Sequence, residues 1–287
     1  MLRVGLSSCG TELLTASALN EQKAAGIDAV EVSFSTPLYK DYDFNRLRKD
    51  ADEAGITLWS IHNQWSSDYS MSSFDTRDND KWVAATSDLV NRASAVGIDK
   101  FVIHPCDTPE PYDDESREER MKHSMYSVDL LAEYAYKKGA WIAIENLPRT
   151  PLCNTAEEHL RMLSANDNLR ACVDFNHSMK DPIEKYFELL KDKIITVHVS
   201  DRDNINERHW LPGEGMLDWD SIMNKLEEIG YNGVFMYEIP LKAPKTIDRR
   251  TLTYSDFYEN AKALFEHREP IKIGTPKKNL GLWGPIE

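Results

Sequence analysis

Six short apolar runs in this 287-residue chain end on a histidine or an acid. They are Thr57-Leu-Trp-Ser-Ile-His62, Phe101-Val-Ile-His104, Trp141-Ile-Ala-Ile-Glu145, Ala171-Cys-Val-Asp174, Ile194-Ile-Thr-Val-His198 and Val234-Phe-Met-Tyr-Glu238. The runs are continuously apolar rather than alternating, as strands read when both faces are buried. An acid or imidazole at such an end does not pack a core. It marks where the chain leaves a sheet, the edge at which parallel α/β folds keep their chemistry. For one residue such as Asp174, a cap on the following helix is an equal account. Six endings in step ask for a common cause.

The pattern between these runs predicts eight strands alternating with eight helices. Strands are expected over 3–7, 29–33, 57–61, 100–103, 141–144, 171–173, 194–197 and 233–237. Helices are expected over 15–25, 44–54, 78–96, 118–138, 155–164, 182–190, 219–229 and 255–265. Gly26, Gly55, Gly97, Gly139 and Gly230 stand just past five of these helices, the usual stop signal. Eight βα units in this length predict an α/β fold, a (β/α)8 barrel over residues 1–270. The tail 271–287 is expected to pack on the barrel or on a neighbouring subunit. A doubly wound sheet is the competing fold, but no G-x-G-x-x-G opens a helix. Three connections after strands are long, His62 to Asp80, Pro105 to Ser116 and Ser200 to Asp218, and all three are expected on the catalytic face.

Composition narrows the partners. Lysine and arginine total 34 against 48 acids, so the net charge is 34 − 48 = −14. A grip on a phosphate backbone needs a basic footprint, so nucleic acid is not expected as a partner. No apolar run approaches the roughly 18 residues of a membrane helix, so no membrane role is expected. The start of the chain is too short in its apolar part for a signal peptide. Cys9, Cys106, Cys153 and Cys172 show no Cys-x-x-Cys spacing and read as reduced thiols in a cytoplasmic protein.

In a barrel, Glu145, Asp174, His198 and Glu238 end strands five to eight and are neighbours around the rim. Three carboxylates and an imidazole with no basic residue among them repel one another unless a cation is present. The donor set suits one divalent ion, Mn²⁺, Mg²⁺, Co²⁺ or Zn²⁺. The competing account is a set of helix caps and satisfied polar groups. His62, His104, His177 and His209 are candidates to bind substrate hydroxyls or an anion, and Arg202 to pair with a substrate oxyanion. Trp65, Trp210 and Trp283 are candidate pocket walls or plain core. Glu12 and Glu31 read as structural.

Ile144-Glu145-Asn146, Asp174-Phe-Asn-His177, His198-Val-Ser-Asp201, Pro212-Gly-Glu-Gly215 and Tyr237-Glu238 resemble the xylose isomerase-like TIM barrel superfamily. This group includes ketose 3-epimerases, inosose isomerases and dehydratases, and endonuclease IV. The resemblance spans nearly the whole chain. It implies one metal held by Glu145, Asp174, His198 and Glu238, the two glutamates doubling as acid and base, and His177 touching substrate. In endonuclease IV three zincs use further ligands, which His62, His104 and His209 resemble, and Glu207-Arg-His209 resembles its Asp-x-His with Glu in place of Asp. Pro151 stands where ketose epimerases often carry a substrate-binding Glu.

The resemblance thus implies an isomerase or epimerase of a carbohydrate-like α-hydroxy ketone (a sugar, sugar phosphate or inosose), working by proton transfer through a metal-bound enediolate. Expelling a β-hydroxyl would make the same constellation a dehydratase. Phosphodiester cleavage with three zincs, and sugar binding without turnover, are the other readings. The expected partner is a small carbohydrate, and a homo-oligomer is allowed.

Overall fold

The computed structural model describes residues 3–9, 14–34, 39–63, 69–106 and 113–286. The strands, in chain order, are β1 (Arg3–Ser7), β2 (Ala29–Val32), β3 (Thr57–His62), β4 (Lys100–Ile103), β5 (Trp141–Glu145), β6 (Arg170–Asp174), β7 (Ile194–Val199), β8 (Asp201–Arg202), β9 (Glu207–Trp210), β10 (Val234–Tyr237), β11 (Ile247–Asp248) and β12 (Thr275–Pro276). Eight of them, all parallel, close into a barrel in the order β1-β10-β7-β6-β5-β4-β3-β2. The eight α-helices among the described residues alternate with these strands. The fold is therefore the expected (β/α)8 barrel. No helix among the described residues is long and apolar enough to cross a membrane.

Local chemistry explains the helix starts. Thr15, Asp43, Asp75, Asp113, Thr155 and Asp218 each accept a hydrogen bond from a backbone N–H in the first turn that follows, which satisfies donors the helix leaves open. Thr253 and Asp256 form a reciprocal capping box on the last helix, Tyr254–Phe265. The helix expected from residue 118 begins earlier, at Asp114, because Asp113 caps it and Asp114 and Glu115 in its first turn favour the positive end of the helix dipole.

Most of the core is one large cluster, with Leu19, Ile27, Phe101, Ile142, Phe187, Leu226 and Phe257 almost completely buried, and two small clusters, around Met236 and around Cys172, stand apart from it. Inside the barrel, β1 passes so close to β10 that a Cβ on Gly5 would overlap Val234 and Met236.

One feature was not foreseen. The connection after β7 is a two-stranded antiparallel ribbon, β8 against β9. Its anchor is Asp201, whose carboxylate accepts from the backbone N–H groups of Arg202, Gly213, Gly215, Met216 and Leu217 and from Trp219 Nε1, at 2.8 to 3.1 Å. A side chain at Gly215 would collide with Asp201 and Arg202, so the Pro212-Gly-Glu-Gly215 motif is built for this close approach. The tail, expected to pack on the barrel or on a neighbouring subunit, is tied to the segments that follow β7 and β10. β12 pairs antiparallel with β11, Gly274 N–H donates to Glu214 Oε1, and Arg208 donates to the carbonyls of Gly281 and Leu282.

Candidate metal centre

Glu145 and Asp174 are the last residues of β5 and β6, His198 is the penultimate residue of β7, and Glu238 follows β10 directly. The barrel register sets Asp174 opposite His198, His198 opposite Met236, two residues before Glu238, and Glu145 opposite Cys172, two residues before Asp174. Glu238 is held by its backbone N–H, which donates to Val199 O. All four are buried, and each can offer one ligand atom within 4.8 Å of the other three. His198 Nδ1 lies 3.0 Å from Glu145 Oε1, 3.4 Å from Glu238 Oε2 and 4.0 Å from Asp174 Oδ2.

Asp174 divides its two oxygens. Oδ1 accepts from the backbone N–H groups of Asn176 and His177 and so caps the loop after β6. Oδ2 is buried, faces the cluster and accepts no hydrogen bond. The expected cap on the following helix is not found, since Pro182 stands at the start of that helix; Oδ1 holds the loop instead, and Oδ2 is left facing the cluster. Asn146, next to Glu145, clamps β5 to β6 by donating to Asp174 O and accepting from Asp174 N–H.

Histidines surround Glu145. His62 Nε2 and His104 Nε2 both lie 3.1 Å from its Oε2, and His177 Nδ1 lies 3.4 Å from Oε1. Burial pushes the Glu145 carboxyl up, but the imidazoles of His198, His104 and His177 outweigh it and hold the group well below the usual carboxylate range. For Asp174 burial wins, with Glu145 and Glu238 adding to it, and the carboxyl is pushed up to about 7. Burial alone would lower His62, but the Glu145 carboxylate raises it to about 9. No lysine or arginine pairs with Glu145, Asp174, His198 or Glu238 among the described residues. A buried carboxylate oxygen that accepts no hydrogen bond, among three further donors, is what a divalent cation would satisfy, so the residues fit the group.

A second cluster borders the first. His177 Nε2 lies 2.8 Å from Glu207 Oε2 and His209 Nε2 3.9 Å from the same oxygen. The other nitrogens of the two rings face backbone carbonyls, Asn146 O and Glu238 O, each at 2.9 Å. Arg149 Nη1 donates to Glu207 Oε1 over 2.7 Å, and its guanidinium lies over the Trp283 ring. Glu207 and His209 are two apart on β9, the spacing that puts both on one face of a strand.

His62, His104, His177 and His209 therefore lie in or beside the clusters. Arg202 does not join them: it donates to Ser178 O and Asp203 O. Trp210 is buried and donates to Thr246 Oγ1, whereas Trp283 is 76% exposed. Glu12 and Trp65 lie outside the described residues. Two further acids touch the clusters: Glu31, taken as structural, and Glu207, singled out only through its resemblance to an Asp-x-His motif. Glu31, fully buried in β2, has its Oε2 3.1 Å from His198 Nε2, and Glu207 pairs with His177. An acid inside the apolar run Ala29-Val-Glu-Val was a legible signal for Glu31. Glu207 depends on the unforeseen ribbon.

The xylose isomerase-like TIM barrel family model matches residues 19–255. The chain is 27% identical to the D-psicose 3-epimerase of Ruminiclostridium cellulolyticum, over 85% of this chain and 84% of that one. It is 25% identical over 61% of its length to an uncharacterized protein of Sinorhizobium fredii, of which the match spans 56%. Among solved structures, a D-tagatose 3-epimerase-like protein superposes with a TM-score of 0.77 at 23% identity, covering 93% of this chain and 98% of that one. With the closed barrel, the acid and histidine strand ends and a match over most of the chain, this protein belongs to the xylose isomerase-like TIM barrel family.

Proposed function

We propose that this protein is a divalent-metal-dependent isomerase or epimerase of a carbohydrate-like α-hydroxy ketone. The observation that carries the reading is the convergence of Glu145, Asp174, His198 and Glu238, with Asp174 Oδ2 buried among them and accepting no hydrogen bond. Glu145, Asp174, His198 and Glu238 would hold the ion, which supplies Lewis-acid polarisation of a carbonyl and its neighbouring hydroxyl. Glu145 ends β5 and Glu238 follows β10, with β6 and β7 between those strands in the barrel, and a substrate carbon held between the two carboxylates would meet one on each face. One removes the proton beside the carbonyl and the other returns it, to the same carbon for epimerisation or to its neighbour for isomerisation. His209, through Nε2, would donate to a substrate hydroxyl, and His177 would do so by exchanging its contact with Glu207 for the substrate. Arg202, bonded to Ser178 O, acts through the residue that follows His177. The relatives' names, D-psicose 3-epimerase among them, support a ketose as the substrate class.

The test is exchange of carbon-bound hydrogen from D₂O into a panel of ketoses and inososes, with metal content measured on the same protein. Exchange that requires one bound divalent ion supports the proposal, and none with any carbohydrate ketone sinks it. A second reading, phosphodiester hydrolysis on several metals, has one observation in its favour: His177, Glu207 and His209 also converge. Three bound ions per chain with phosphodiesterase activity would favour it, whereas the net charge of −14 weighs against a nucleic-acid substrate.

A further inference from the structure

Glu31 needs an explanation that the four-residue centre does not supply. It is the third residue of β2, fully buried in the barrel, and among the described residues no lysine or arginine pairs with it. A register shift between Val30 and Glu31 brings Glu31 opposite Ser60 of β3. Ser60 Oγ donates to Glu31 Oε2 over 2.8 Å, and the same oxygen lies 3.1 Å from His198 Nε2. The other oxygen, Oε1, accepts no hydrogen bond. The imidazole of His198 thus has a carboxylate on each side: Glu31 at Nε2, and Glu145 with Glu238 at Nδ1.

A neutral imidazole carries one N–H, and where it sits decides which nitrogen can bind a cation. Ligating histidines commonly donate their other N–H to a carboxylate, which sets tautomer and ring orientation and raises ligand basicity. We infer that Glu31 is the positioning residue of the centre: it accepts the Nε2–H of His198 and so presents the Nδ1 lone pair to the point where Glu145, Asp174 and Glu238 converge. Ser60 holds the carboxylate in that orientation. The inference rests on the metal centre proposed above and adds a residue that touches neither ion nor substrate.

The experiment uses the full chain with Zn²⁺ as probe, and reads affinity by titration calorimetry and the His198 tautomer by long-range ¹⁵N NMR of histidine-labelled protein. The His198 signals are assigned by their loss in His198→Asn. The parent is expected to bind Zn²⁺ with His198 in the Nε2–H form and Nδ1 shifted by the metal. Glu31→Gln, whose amide oxygen still accepts, should keep the tautomer and weaken Zn²⁺ about tenfold. Glu31→Leu should weaken it about a hundredfold and release the tautomer, the span seen when such outer partners are removed. Ser60→Ala should weaken binding several-fold, and it decides the matter with Glu31→Gln if the leucine variant does not fold. Variants that lose unfolding midpoint yet keep parental Zn²⁺ affinity and tautomer overturn the role of Glu31 and leave the metal centre standing. A parent in which Zn²⁺ leaves the His198 resonances unmoved overturns the metal centre itself, and this inference with it.

Discussion

Arg249 Nη1 donates to Glu214 Oε2 over 2.9 Å, and neither side chain touches solvent. The same carboxylate accepts from Leu211 N–H and, through Oε1, from Gly274 N–H, so one buried acid ties the ribbon, the segment after β10 and the tail together. Replacing Glu214 with Leu strands the buried guanidinium and two backbone donors. The expected loss of unfolding free energy is about 3–5 kcal/mol, the range for breaking a buried pair from one side. Urea unfolding of the parent and Glu214→Leu checks it, and a loss below 1 kcal/mol would show that water replaces the carboxylate.

Asp174→Asn keeps the oxygen that caps the loop and weakens the one that faces the cluster. Its metal-free stability should stay close to the parent's, while bound divalent ion per chain falls sharply. Mn²⁺ at a hundred times its dissociation constant should stabilise the parent by about 2.7 kcal/mol and the variant by much less. Equal stabilisation of both proteins would place the ion elsewhere.

Glu238→Gln retains an oxygen ligand but no proton acceptor. Part of the metal affinity should remain, and the exchange rate should fall at least about a hundredfold, the lower range for a positioned base. Turnover within a few fold of the parent would leave Glu238 as a ligand only.

Arg202→Ala removes the donor to Ser178 O without touching the cluster. The expected outcome is weaker substrate binding with metal content unchanged. His177→Ala should weaken substrate binding further. If both variants hold metal and bind and exchange substrate like the parent, the substrate contacts lie elsewhere on the rim.

His159 is fully buried, with Nε2 2.9 Å from Ile144 O, and burial pushes it down to about 4. Its folded value is below its unfolded value of about 6.5, so the unfolded chain binds the proton first. The contribution is therefore complete above about pH 6.5 and is lost as pH falls toward 4. It amounts to about 3 kcal/mol over that window. His159→Gln keeps a donor for Ile144 O but does not titrate. The difference in unfolding free energy between parent and variant should change with pH across this window, and a difference independent of pH would refute the assignment.

The barrel was legible because its signals are local. Continuous apolar runs, helix caps and glycine stops each depend on a few neighbouring residues, and eight repeats of them leave little but a closed parallel sheet. The four-donor centre was legible for a related reason: in a parallel barrel, strand ends are neighbours by topology, so Glu145, Asp174, His198 and Glu238 could be placed together before any distance was known. Strand bounds were less certain, and His198 lies inside its strand while His104 and Glu238 lie just past theirs. What only the tertiary structure decided are contacts between segments far apart in the chain. Glu31 meets His198 across 167 positions because the barrel closes and a register shift in β2 turns Glu31 to face Ser60. Glu207 reaches His177 because Asp201 gathers six donors and folds the long connection into a ribbon. Arg202 is drawn to the carbonyls of Ser178 and Asp203 because a half-buried guanidinium takes the nearest acceptors the folded loop offers. Residue type and spacing determine which groups are available for chemistry. Closure of the barrel and pairing of the loops determine which of them meet.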